Sequence, residues 1–181
     1  MKQGWVRLSV IFVLSLLLNS CNFNQSYQIP FAKKGVINLQ SWDFEKQGSV
    51  VLNGQWEFYW QNLLNPQDFV FPENLPYKRI VKVPGSWVNT NKTNDTVSTL
   101  GYGTYRLKII LPKNLPDKLG LKLLSLRTNC RLFINGREAV TVGRPGKLKE
   151  EATPEYRPQI LEISPDWSEI ELIIQTSNFH Y

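Results

Sequence analysis

Between Tyr105 and Leu111 the chain alternates: Tyr105, Leu107, Ile109 and Leu111 fall on one side, and Arg106, Lys108 and Ile110 on the other, before Pro112 closes the run. A period of two is the mark of a half-buried β-strand, because successive side chains point to opposite faces. The same pattern recurs. Gln55–Trp60 puts Trp56, Phe58 and Trp60 on alternate positions. Asn129–Ile134 puts Cys130, Leu132 and Ile134 opposite Arg131 and Phe133, and Glu169–Gln175 puts Ile170, Leu172 and Ile174 opposite Glu169, Glu171 and Ile173. Shorter runs at Ile80–Val83, Leu119–Leu126, Glu138–Val142 and Ile160–Ile163 read as strands too. Asn135-Gly136 is a two-residue hairpin signal, since both positions tolerate positive φ. With 11 Gly and 11 Pro, no long stretch repeats apolar residues at helical spacing, and only Pro66–Phe69 suggests a helical turn. Roughly eight short strands between turns predict an all-β fold, an antiparallel β-sandwich.

The N-terminus sets the expected compartment. Lys2 and Arg7 precede an apolar run, Leu8–Leu18, which is short of the ~20 residues a membrane-spanning helix needs and reads as a signal peptide. Leu18-Asn19-Ser20-Cys21 then resembles a lipobox, which implies acylation of Cys21 and anchoring at the outer face of a bacterial membrane. The expected organisation is a lipoprotein signal peptide over 1–20, a polar tether over 21–34 and a sandwich domain over 35–181. The 181 residues suit one domain plus a leader. The net charge of +6 includes the leader's Lys2 and Arg7, and export argues against a nucleic-acid partner. Two Cys and one His are too few for a protein-built zinc site, and no metal or cofactor is expected.

The order Leu52-Asn53-Gly54-Gln55-Trp56-Glu57-Phe58, Val83-Pro84-Gly85-Ser86-Trp87, Tyr105-Arg106 and Asn135-Gly136 resembles the sugar-binding jelly-roll domain of family 2 glycoside hydrolases. Pro154-Glu155-Tyr156-Arg157-Pro158-Gln159 and Ser177-Asn178-Phe179-His180 extend the likeness. They resemble the extracytoplasmic domain of bacterial seven-transmembrane receptors with diverse intracellular signalling modules. Both resemblances imply a galactose-binding-like fold. The second implies a non-catalytic ligand-sensing domain of a membrane receptor, with a small molecule or carbohydrate as ligand and a signalling protein as a partner. The first implies a sugar-binding accessory domain.

A glycosidase needs two carboxylates flanking the sugar. Glu57 instead sits between core aromatics on a strand, where it is expected to face solvent or an ion-pair partner. His180, the only His, has no nucleophile paired with it in the pattern. No catalytic constellation is therefore expected in this chain. Cys130, on the apolar side of its strand, reads as a buried small residue. Two long polar segments, Gly85–Gly103 and Gly143–Pro158, are expected to hold the ligand, since strand faces are committed to packing. Their aromatics and guanidiniums make the candidate site: Trp87, Tyr102, Arg144, Tyr156 and Arg157. A rival expectation treats Tyr156-Arg157 as a structural corner.

Overall fold

A computed structural model describes residues 28–86, 98–124 and 128–179. Nine strands are described: β1 (Val36–Asn38), β2 (Gly54–Trp60), β3 (Arg79–Val83), β4 (Gly101–Ile110), β5 (Leu119–Leu123), β6 (Cys130–Ile134), β7 (Arg137–Val142), β8 (Gln159–Ile163) and β9 (Glu169–Asn178). Among the described residues helix is confined to the four-residue α1 (Phe44–Gln47), capped by Asp43 Oδ1, and to 3₁₀ turns at Pro66–Phe69 and Pro72–Asn74. Among the described residues no helix is long and apolar enough to cross a membrane.

The strands form a large sheet in the order β3-β2-β4-β9-β6-β7 and a small one, β5-β8. Neighbours are antiparallel, except that β1 runs parallel to β4 beside Lys108–Ile110. The fold is an all-β sandwich, as the alternation predicts. The packed structure begins before Gly35, within the segment expected as tether: Ala32 is fully buried, and its backbone bonds Asn53 and Gln55.

Register explains how the core assembles. Phe58, Tyr105, Ile174, Leu132 and Val140 stand side by side across five strands on one face of the large sheet. Tyr105, Ile174, Leu132 and Val140 of this row share one core with Leu119, Leu121, Leu123, Leu161 and Ile163 of the small sheet. The turn at Asn135 (φ 47°) and Gly136 (φ 80°) has positive φ at both positions and closes the β6–β7 hairpin in two residues. Cys130 is buried on this inner face, and burial pushes its thiol pKa up.

β4 starts at Gly101, earlier than the apolar alternation shows. A Cβ at Gly103 would lie 2.6 Å from the Phe58 ring. Glycine is a weak strand former, but here it makes room for an aromatic of the neighbouring strand.

Candidate functional site

The outer face of the large sheet is not a uniform solvent surface. One register row carries Tyr59, Thr104, Gln175, Arg131 and Thr141 across β2, β4, β9, β6 and β7. The next row carries Glu57, Arg106, Ile173, Phe133 and Glu138. Residues 61–78 fold over the β2–β4–β9 half of these rows. Thr104 Oγ1 donates to the Asn62 carbonyl (2.7 Å) and accepts from Leu64 N (2.9 Å). Gln175 Nε2 donates to the Leu64 carbonyl (2.9 Å) and to Asn65 Oδ1 (3.1 Å). Phe69 drops onto Tyr59, and a small second core of Tyr59, Phe69, Phe133 and Ile173 forms beneath Leu64 and Leu75.

This roof covers an ion network. Glu57 is buried and receives Lys78 Nζ (2.7 Å), Arg106 Nη1 (3.2 Å) and the Tyr59 hydroxyl (3.1 Å). Arg106 also donates from Nε and Nη2 to Glu171 Oε1, and it stacks on Phe69 at 4.5 Å. Burial, reinforced by the Glu57 charge, pushes the Tyr59 hydroxyl up to about 12. Glu57 was expected as an exposed or ion-paired strand residue; it is ion-paired and buried.

Where the roof stops, an open cleft of about 450 Å³ remains over β9, β6 and β7. Gln175, Arg131, Glu138 and Thr141 make its floor, and Leu63 and Asn65 make one wall. The floor is internally braced. Arg131 Nε and Nη2 donate to Glu138 Oε2, Thr141 Oγ1 donates to Glu138 Oε1 (2.8 Å), and the Arg131 guanidinium lies 5.0 Å over Phe133. These donors, Arg131 first, hold the Glu138 carboxyl below its usual range.

The opposite wall is Arg144 and Pro145, at the start of a folded-back segment. Arg144 and Thr153 exchange backbone hydrogen bonds of 2.8 and 2.9 Å. Gly143 has φ +64°, and a Cβ there would lie 2.2 Å from the Thr153 carbonyl oxygen, so only glycine fits. Gly146 N donates to Ser177 Oγ, Lys147 N donates to Glu151 Oε2, and Arg144 Nε donates to the Glu151 carbonyl at 2.7 Å. This wall is a braced loop, the kind of support that holds a site in one geometry.

Of the expected site residues, Arg144 lines the cleft. Tyr102, half-buried, pairs with Ser177 on the outer face one row beyond Gln175, and its carbonyl accepts from Gln61 N. Arg157 is turned away: its Nη2 donates to the Thr141 carbonyl (3.1 Å) and its Nε meets Glu155 Oε1 (3.1 Å). Glu155 Oε2 in turn accepts from Gly143 N, which makes Arg157 part of the brace behind the wall. Tyr156 beside it is 74% exposed. Trp87, Cys21 and His180 lie outside the described residues. The sequence expects room for a site only in loops, and the floor of this cleft is a strand face. Arg131, Glu138, Thr141, Gln175 and Asn65 were not singled out, although strand alternation already puts Arg131 opposite the apolar positions.

A further cavity of about 370 Å³ opens between the sheets at Val50, Leu52, Trp56 and Leu121 and is almost wholly apolar. Another, of about 650 Å³, is lined by Pro84, Gly85, Ser86, Thr99, Tyr105 and Asn178 among others. Among the described residues no group of three or more His, Cys, Asp or Glu is placed to hold a metal ion.

No family model matches the chain, and no curated protein matches it. Among solved structures it is similar to a β-glucuronidase from an uncultured Clostridium sp., with a TM-score of 0.51 and 20% identity over 72% of this chain and 22% of that one. It is also similar to the β-glucuronidase from Ruminococcus gnavus in complex with D-glucuronic acid, with a TM-score of 0.50 and 17% identity over 70% of this chain and 21% of that one. The chain spans about a fifth of the length of these enzymes. At such identities the likeness is one of fold, and it lies on the glycoside hydrolase side of the resemblance read from the sequence.

Proposed function

We propose that this chain is a non-catalytic, extracytoplasmic carbohydrate-binding domain of a bacterial envelope, anchored through Cys21, that senses its ligand for a membrane signalling receptor. The observation that carries the binding role is the braced polar cleft on the outer face of the large sheet. Its floor and walls come from elements far apart in sequence, and its side chains present hydrogen-bonding groups at fixed positions, as a sugar site requires. The signalling role is supported by the Pro154–Gln159 and Ser177–His180 motifs, and the anchor by Leu18-Asn19-Ser20-Cys21.

Chemistry is not assigned to the described carboxylates. Glu57 and Glu171 are tied to one guanidinium, that of Arg106, and Glu57 also receives Lys78 and Tyr59. A carboxylate so engaged is a poor proton donor or nucleophile for a glycosidic bond. The fold likeness favours a second reading, a sugar-binding accessory domain of a glycoside hydrolase. The coding sequence downstream separates the two: apolar spans support the receptor, and a barrel with two catalytic carboxylates supports the hydrolase.

The binding role is tested with the full chain in detergent on a glycan array. Retention of a defined glycan class, with no hydrolysis of aryl glycosides, is the expected result. Retention of no glycan overturns the carbohydrate reading, and turnover overturns the non-catalytic one. Cys21→Ser is expected to release the chain from the membrane or to leave its leader uncleaved; unchanged fractionation and mass reject the anchor.

A further inference from the structure

We propose that the cleft selects an acidic sugar, a uronate, and that Arg144 receives its carboxylate. This rests on the carbohydrate reading above and deepens it. Two guanidiniums reach the cleft, and their states differ. The charge of Arg131 is answered by Glu138, which takes two of its N–H groups. Arg144 forms none of the ion pairs found among the described residues: its Nε donates to a backbone carbonyl, which carries no net charge. The carboxylate of Glu151, whose carbonyl Arg144 holds, accepts instead from the backbone N–H of Lys147.

With Nε fixed on the Glu151 carbonyl, the Nη1/Nη2 edge of Arg144 remains for a ligand. That edge matches a planar carboxylate through two parallel N–H···O bonds. The backbone carrying Arg144 is held by the Thr153 bonds, the glycine at 143 and the Glu155–Arg157 brace, so binding orders little that is not already ordered.

The rest of the cleft fits the remainder of a sugar acid. Gln175 spends its amide N–H groups on Leu64 and Asn65, which leaves Oε1 as an acceptor for a hydroxyl. Thr141 Oγ1 donates to Glu138 and keeps lone pairs to accept a hydroxyl. Leu63 and Pro145 supply apolar surface for ring C–H groups. The volume, about 450 Å³, falls within the roughly 300–1,000 Å³ usual for small-molecule sites.

The test compares trigalacturonate with its methyl ester, the same skeleton without charge, and with inorganic sulfate, by calorimetry on the full chain in detergent. Trigalacturonate is expected to bind at least tenfold tighter than the ester and the sulfate, and to weaken as salt rises. Arg144→Ala is expected to remove that preference, and Arg144→Lys to keep part of it. Melting temperatures of both variants show whether the loop has survived, and a preference unchanged in a folded Arg144→Ala rejects the role of Arg144. Equal binding of acid and ester overturns the carboxylate inference and leaves the carbohydrate reading standing. Sulfate binding as tightly as the acid marks a general anion site and overturns the sugar part. If none of the three binds, the inference fails, and the glycan array then decides separately whether the carbohydrate reading fails with it.

Discussion

The two faces of the large sheet are built by the same strands, one residue out of step, and they are stabilised differently. The inner face is closed by a second sheet and is almost wholly apolar, with Leu107, Leu132 and Leu172 at most 2% exposed. Among the described residues the outer face has no second sheet. A segment with little regular structure covers half of it, held by hydrogen bonds to Thr104 and Gln175 and sealed by a small aromatic cluster over ion pairs. The other half stays open as the cleft. Apolar burial is non-directional and can cover a face without each group finding its own partner. Polar groups can be covered only where each finds a partner, so a polar face is closed in places and left open in others.

The largest effect is expected inside. Leu107→Ala should cost about 2–5 kcal/mol, from lost burial and the cavity left behind, measured by urea denaturation. Ile173→Ala tests whether the outer face has a true core. A roofed Ile173, fully buried now, should fall in the lower half of that range because its cluster is smaller. A cost below about 0.5 kcal/mol, the level of an ordinary surface change, would break the comparison by showing that the roof packs nothing.

Glu57→Gln should cost about 1–3 kcal/mol, since it leaves Lys78 and part of Arg106 without their charge partner. An unchanged denaturation midpoint would mean that the roof is held by its hydrogen bonds and its aromatic cluster without the ion pairs.

Alkaline titration probes both faces at once. Burial pushes Tyr59 on the outer face and Tyr105 on the inner face each up to about 12 from 10.0. The folded state therefore holds protons that the unfolded chain releases first. Stability due to these groups is fully present below pH 10 and is lost as pH rises towards about 12. Tyr59→Phe and Tyr105→Phe should each make the fall of melting temperature with pH shallower, and equal slopes in wild type and both variants would reject the burial of these hydroxyls. The smallest effect is expected from Arg157→Ala. Its Glu155 pair and Thr141 bond are half exposed, which limits the loss to about 1 kcal/mol or less. A folded Arg157→Ala with lowered affinity for a retained glycan would place Arg157 in the site rather than behind it.

Much of the fold is readable in the chain. The alternation at Tyr105–Leu111 and Glu169–Gln175 marks β4 and β9 because one face of each is apolar. Asn135-Gly136 marks its hairpin because the φ requirement is local. β1 is three residues long, too short for a period to show. Gly101-Tyr102-Gly103 reads as the end of a loop, since what makes it a strand is its pairing with Thr176, Ser177 and Asn178 of β9, more than 70 residues away. For the candidate site, alternation separates Arg131 from the core positions but does not say what lies above it.

By itself, then, the sequence determined the longer strands and which of their residues face inward, because both depend on neighbours one or two positions away. The order of strands decided the rest. Asn65 and Gln175 are 110 residues apart and become partners only once β9 lies between β4 and β6. Arg131 and Gln175 share a floor because β6 and β9 are in register, and Arg144 faces it because Gly143 lets the chain fold back on Thr153. A cleft made of long-range pairings has no local period to announce it, whereas a strand does.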